Sequence, residues 1–245
     1  MLLSFSLVAC GSEPTERQAV SNLADGFVKL SEVDPTILQD MRYYGSKNFV
    51  GRRVEGYEAG ECILTERAAT ALAAAQSDFA EHGFSIIVLD CYRPQRAVDD
   101  FVSWAAGPDE TTKPLYYQNV PKDELFERGY IARRSGHSRG STVDLALVPK
   151  GGAGAPIDQH LQTPCLMDDG YDGVRQYLNF GTSYDCFDVL SHTANREISA
   201  EARKNRALLV SILAKYGFQN YANEWWHFTF QPEPFPETYF DFEVK

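Results

Sequence analysis

One stretch limits what this chain can become more than any other: Ser135-Gly136-His137-Ser138-Arg139-Gly140-Ser141-Thr142-Val143-Asp144. It places a histidine and a carboxylate seven positions apart, with glycines that suit a turn before a strand spanning Val143–Val148. In that strand Val143, Leu145 and Leu147 share one face, and Asp144, Ala146 and Val148 share the other. Asp144 is therefore expected to face a site while its neighbours enter the core. A second stretch, Glu224-Trp225-Trp226-His227-Phe228, supplies another carboxylate and another histidine. A catalytic zinc site needs three protein ligands and one open position. His137, Asp144 and His227 meet that need, with one Zn2+ expected per chain. Glu224 lies three residues before His227, and an odd separation in a regular strand sends side chains to opposite faces. The backbone must bend there. Glu224 is expected in a turn, as the general base that acts on water, and His227 at the start of a strand.

The flanking segments give a mixed helical and extended pattern. Residues 62–82 carry Leu64, Ala68, Leu72 and Ala75 at helical spacing, closed by Gly83. Phe84 to Leu89 reads as a buried strand that delivers Asp90-Cys91-Tyr92-Arg93-Pro94, and Pro94 opens a helix running to about Ala106. Met41–Tyr44 and Asn48–Gly51 read as short extended pieces, and Asp123–Arg128 as a helical turn. Residues 149–180 form an irregular excursion. Ser199 caps a helix that Gly217 closes, and the aromatic tail is expected to pack over the strand within Glu224–Phe230.

Domain organisation follows from the ends. Met1–Ala9 is apolar and precedes Cys10, which resembles a bacterial lipobox, although the run is short and lacks a basic start. Residues 1–25 are expected to be a lipoprotein-type signal and tether, with Cys10 lipidated and the protein periplasmic or anchored to the cell envelope; without such a signal the location would be cytoplasmic. Residues 26–245 form one domain. The remaining cysteines, Cys62, Cys91, Cys165 and Cys186, are even in number, which fits an oxidising compartment. They allow three pairings; Cys62–Cys91 with Cys165–Cys186 is preferred because each pair lies within one region, and four free thiols are the alternative. A net charge of −11 disfavours nucleic acid as a partner, since that binding rests on neutralising phosphates. Oligomeric state is not legible.

The motif Ser-x-His-Ser-Arg-Gly-Ser-x-x-Asp-Leu, starting at Ser135, together with Glu224-Trp225-Trp226-His227, Asp90–Pro94 and Tyr239-Phe240-Asp241-Phe242, resembles the VanX-like zinc D-alanyl-D-alanine dipeptidases of peptidase family M15. The resemblance covers about residues 28–245. It implies an α+β fold of the hedgehog and D,D-peptidase type, a small, mainly antiparallel sheet flanked by helices. It also implies hydrolysis of the small dipeptide D-Ala-D-Ala, in cell-wall peptide turnover or glycopeptide resistance. His137, Asp144 and His227 match the zinc ligands, Glu224 the base, and Arg93 the group that stabilises the tetrahedral intermediate. Tyr43, Ser135 and Asp185 match substrate contacts, Asp185 on the free ammonium. The connection from Asp144 to Asp185 is longer than the family usually has. His82, His160 and His192 match no ligand position. A D,D-carboxypeptidase or endopeptidase of peptidoglycan stems is the alternative enzyme, and a non-catalytic zinc-containing binding module the alternative from another class.

Overall fold

The computed structural model describes residues 23–151, 164–166 and 177–245. Cys10 and His160 therefore lie outside the described residues, as do the signal and most of the tether and excursion. In chain order the elements are β1 (Phe27–Lys29), α1 (Leu30–Val33), β2 (Leu38–Gln39), β3 (Ile63–Thr65), α2 (Glu66–Glu81), β4 (Phe84–Asp90), α3 (Gln95–Ala106), α4 (Lys113–Tyr116), β5 (Thr142–Pro149), α5 (Ala200–Lys215), β6 (Phe218–Asn220) and β7 (His227–Phe230). The main sheet runs β2-β4-β5-β7-β6, and β1 pairs with β3 in a separate two-stranded ribbon.

The fold is α+β, with helices packed around a mixed sheet. Pairs β4–β5, β5–β7 and β6–β7 are antiparallel, while the short edge strand β2 runs parallel to β4. The sheet is thus mainly, not purely, antiparallel. Helix α2 packs on β4 and on α5, so β4 and β5 bury both faces rather than one. Ala146 and Val148 join Leu145 and Leu147 in the core, and the expected split into a core face and a site face holds only at Asp144, the third residue of β5.

Several segments differ from the sequence expectation for identifiable reasons. The helix proposed from residue 62 begins at Glu66, because Ile63–Thr65 pair with β1 and are fully buried. Met41–Tyr44 is not extended: Arg42–Tyr44 form a 3-10 turn, and Asn48–Gly51 is a turn in which the Asn48 side-chain carbonyl accepts from Val50 and Gly51 N–H. The helical turn is Lys122–Glu124. The tail does not pack over β7. Phe235, Phe240 and Phe242 surround Phe27, with Phe242 stacked on Tyr92 at 4.1 Å, and Gln95 N–H at the start of α3 donates to Phe240 O. Aromatic faces and edges offered by Phe27 and Tyr92 outcompete the strand as a packing surface. Ser199 caps α5 by accepting from Ala202 N–H at 3.1 Å. Both preferred disulfides, Cys62–Cys91 and Cys165–Cys186, are present. No helix among the described residues is long and apolar enough to cross a membrane.

Candidate metal centre and active site

The sheet register assembles the site. Asp90 at the end of β4 is opposite Asp144 on β5, and Asp144 is opposite His227, the first residue of β7. Three functional positions thus form a row across three adjacent strands. His137 reaches the row from the 3-10 turn Gly136–Arg139, whose first hydrogen bond is made by Ser135 Oγ, accepting from His137 N–H. Gly140 ends that turn in the left-handed region, and a side chain there would collide with the ring of Phe27. The turn must therefore close on glycine.

His137 Nε2, Asp144 Oδ1 and His227 Nδ1 lie 3.1–3.3 Å from one another. Ligands held at ~2.0–2.1 Å by a tetrahedral ion stand about 3.3 Å apart, so the triangle matches a metal of that size. Asp144 Oδ1 is buried and accepts no hydrogen bond of good geometry, which is costly unless a cation meets it. The donor set is prepared as well. His137 Nδ1 is 2.7 Å from the Cys91 carbonyl, so that nitrogen carries the proton and Nε2 presents its lone pair. Tyr184 donates its hydroxyl to Asp144 Oδ2 at 3.0 Å and orients the carboxylate. The residues present fit a metal ion.

Tyr184→Phe is expected to weaken metal affinity about 10–100-fold while leaving the fold intact. Competition against a chelator measures this; unchanged affinity would show that Tyr184 does not orient the ligand.

Glu224 lies in the turn before β7, where its N–H donates to Tyr221 O, and its Oε2 is 3.4 Å from His227 Nδ1. Burial, then the neighbouring carboxylates Asp144 and Asp185, push its pKa well above the usual carboxylate range. A carboxylate with raised proton affinity suits the role of proton acceptor. Burial pushes Asp144 the same way, but His137 and His227 overcome it and hold Asp144 low. Burial also lowers the pKa of His227, which favours the neutral, ligating form.

Arg93 points its Nε and Nη2 at Asp90 Oδ2, at 3.0 and 2.8 Å, and its guanidinium stands over the rings of Tyr43 and Phe101. Asp90, fully buried, also accepts from Tyr57 Oη at 2.6 Å. This cation is thus held rigidly, with Nη2 3.9 Å from Asp144 Oδ2. Tyr43 Oη donates to Asp185 Oδ2 at 2.9 Å, and both residues are buried. Burial, followed by the charge of Asp144, raises the pKa of Asp185, which a cationic ligand would reverse.

Tyr43, Ser135, Asp185, Arg93, Glu224 and the metal triad all line one cavity of about 190 Å³. That is below the ~300–1,000 Å³ of sites for drug-sized ligands, and suits a small substrate. Asp90, Tyr57 and Tyr184 also serve the site, as partners of Arg93, Asp90 and Asp144. Asp90 had a signal, standing three residues before Arg93; the two tyrosines had none. Two further histidines stay apart from this cluster. His82 is exposed at the end of α2, 3.5 Å from Asp78, and His192 offers its carbonyl, not its ring, to Arg206.

Three converging metal ligands with a nearby carboxylate outside the triad are the arrangement of a metal-dependent hydrolase. Comparison with known proteins narrows the class. The family model Peptidase M15, described as D-ala-D-ala dipeptidase, matches residues 23–159 and 163–245, and the chain belongs to this family. A D-alanyl-D-alanine dipeptidase of Streptomyces coelicolor is 39% identical over 219 residues, covering 89% of this chain and 98% of the relative. One of Enterococcus faecalis is 38% identical, covering 91% and 100% respectively. One of Escherichia coli is 28% identical, covering 82% of each.

Proposed function

We propose that this chain is a zinc-dependent dipeptidase that hydrolyses D-alanyl-D-alanine to two D-alanines. The observation that carries the reading is the shared cavity: a buried carboxylate, Asp185, opens on the same small space as the metal triad. A dipeptide's free ammonium would pair with Asp185, aided by Tyr43, and set the peptide bond toward the triad. A longer stem peptide has no charged amine at that position and would leave Asp185 buried without a partner. Bound zinc would supply Lewis acidity to polarise the carbonyl and acidify water. His137, Asp144 and His227 would hold it. Glu224 takes the proton from the attacking water and passes it to the leaving amine. Arg93, fixed by Asp90, offers positive charge to the oxygen that becomes negative. Ser135 would donate its hydroxyl to the substrate's carboxylate or backbone.

The two disulfides support an exported, oxidising location, in line with a cell-envelope lipoprotein anchored at Cys10 and acting on dipeptide from wall turnover. One assay tests the substrate reading. Purified protein with zinc is offered D-Ala-D-Ala and, separately, a stem pentapeptide, and free D-alanine is measured. Release from the dipeptide alone is expected. Release from the pentapeptide points to a D,D-carboxypeptidase, and release from neither points to a binding module.

A further inference from the structure

Asp185 is the one non-glycine residue with a left-handed backbone among the described residues, with φ at 57°. Aspartate tolerates that region better than most residues, but it stays there only where its surroundings hold it. The holding contacts stand on both sides. Leu166 bridges Thr182, and Ser183 N–H donates to Cys165 O at 3.0 Å. Phe187 N–H donates to Tyr116 O at 2.7 Å. Between them Cys186, the residue after Asp185, is covalently joined to Cys165, and both sulfur-bearing residues are buried. Cys165 belongs to the long connection between Asp144 and Asp185, a feature that the catalytic reading leaves without a purpose.

The Asp185 side chain itself has little else to fix it. Among the described residues its carboxylate accepts one hydrogen bond, from Tyr43. A change of backbone at residue 185 would swing the carboxylate out of line with the cavity. We propose that the Cys165–Cys186 bridge is a positioning pair for Asp185: it fixes the anion that receives the substrate's ammonium, and thereby sets affinity for free dipeptides. The inference rests on the dipeptidase reading above. It also gives the long connection a role, as the carrier of the second cysteine.

The test compares C165A/C186A with wild type, both loaded with zinc, on D-Ala-D-Ala and on propionyl-D-alanine, which lacks the ammonium. KM for D-Ala-D-Ala is expected to rise about tenfold, equivalent to about 1.4 kcal/mol, with kcat within about twofold. The value of kcat/KM for propionyl-D-alanine should not change. An unchanged KM in folded C165A/C186A, or an equal loss on both substrates, would overturn the proposal. If C165A/C186A does not fold, C165V/C186A, which restores much of the lost volume, is read instead. Wild type that releases no D-alanine from the dipeptide defeats the dipeptidase reading itself, a result separate from any variant's behaviour.

Discussion

Glu224→Gln is expected to lower kcat by about 10²–10⁴-fold, the usual worth of a positioned general base, while the protein still binds its metal at full stoichiometry. The substitution keeps the volume of a side chain that is only 7% exposed, so packing should survive. It removes the carboxylate's capacity to accept a proton. The metal should stay because the ligand triangle is complete without this residue, formed by His137, Asp144 and His227. KM should move little, since Glu224 is not among the groups assigned to the ammonium or carboxylate of the substrate. Steady-state kinetics with metal analysis of the same sample decide the matter. Loss of the ion in Glu224→Gln would make Glu224 a ligand rather than a base, and a rise in KM at constant kcat would make it a binding group.

The contrast between Glu224 and Tyr184 shows what could be read from the sequence alone. Metal ligands and a base come from a short list of residue types, and here they occur in two dense segments, one with His137 and Asp144 and the other with Glu224 and His227. The bend between Glu224 and His227 was also legible, because a period of two cannot place them on one face. The groups that hold these residues were harder to see. Tyr184 meets Asp144 across 40 positions, Tyr57 meets Asp90 across 33, and Cys91 O meets His137 across 46. A tyrosine or a backbone carbonyl carries no mark in a sequence that it will serve a metal ligand. The same limit explains the misplaced tail. Aromatic residues predict burial, and the choice between β7 and the Phe27–Tyr92 surface depends on geometry that only the folded chain supplies. The main helices and strands were legible because their periodicity is local, whereas Ile63–Thr65 was drawn into the helix that follows because its strand partner lies at residues 27–29.

Arg206→Leu is expected to destabilise the fold by about 3 kcal/mol or more. Arg206 sits on α5 and is 1% exposed. Its Nε donates to Phe180 O at 2.8 Å, Nη1 to His192 O at 2.7 Å, and Nη2 to Leu190 O at 2.9 Å. Burial pushes its pKa down, which shows that the charge is held at a cost in desolvation. Leucine would relieve that cost, but it would strip the Phe180 and Leu190 carbonyls of their donor, and leave the His192 carbonyl with Asn195 N–H alone. Charge-assisted hydrogen bonds contribute ~1.5–3 kcal/mol each, and buried acceptors left unpaired cost ~1–3 kcal/mol each, so the loss outweighs the relief. For a chain of this length ~3 kcal/mol corresponds to a fall in Tm of roughly 6–12 °C. The three carbonyls bracket residues 182–187, the buried run that contains Asp185 and Cys186. The damage should therefore reach function through the same segment. Below its lowered Tm the variant should show a raised KM for the dipeptide and nearly normal metal binding, because the triad is held by β5, β7 and the Gly136–Arg139 turn instead. A variant with wild-type Tm would show that the Phe180 and Leu190 carbonyls find other donors. A variant that loses its metal while remaining folded would show that the α5 anchor and the metal centre are one cooperative unit.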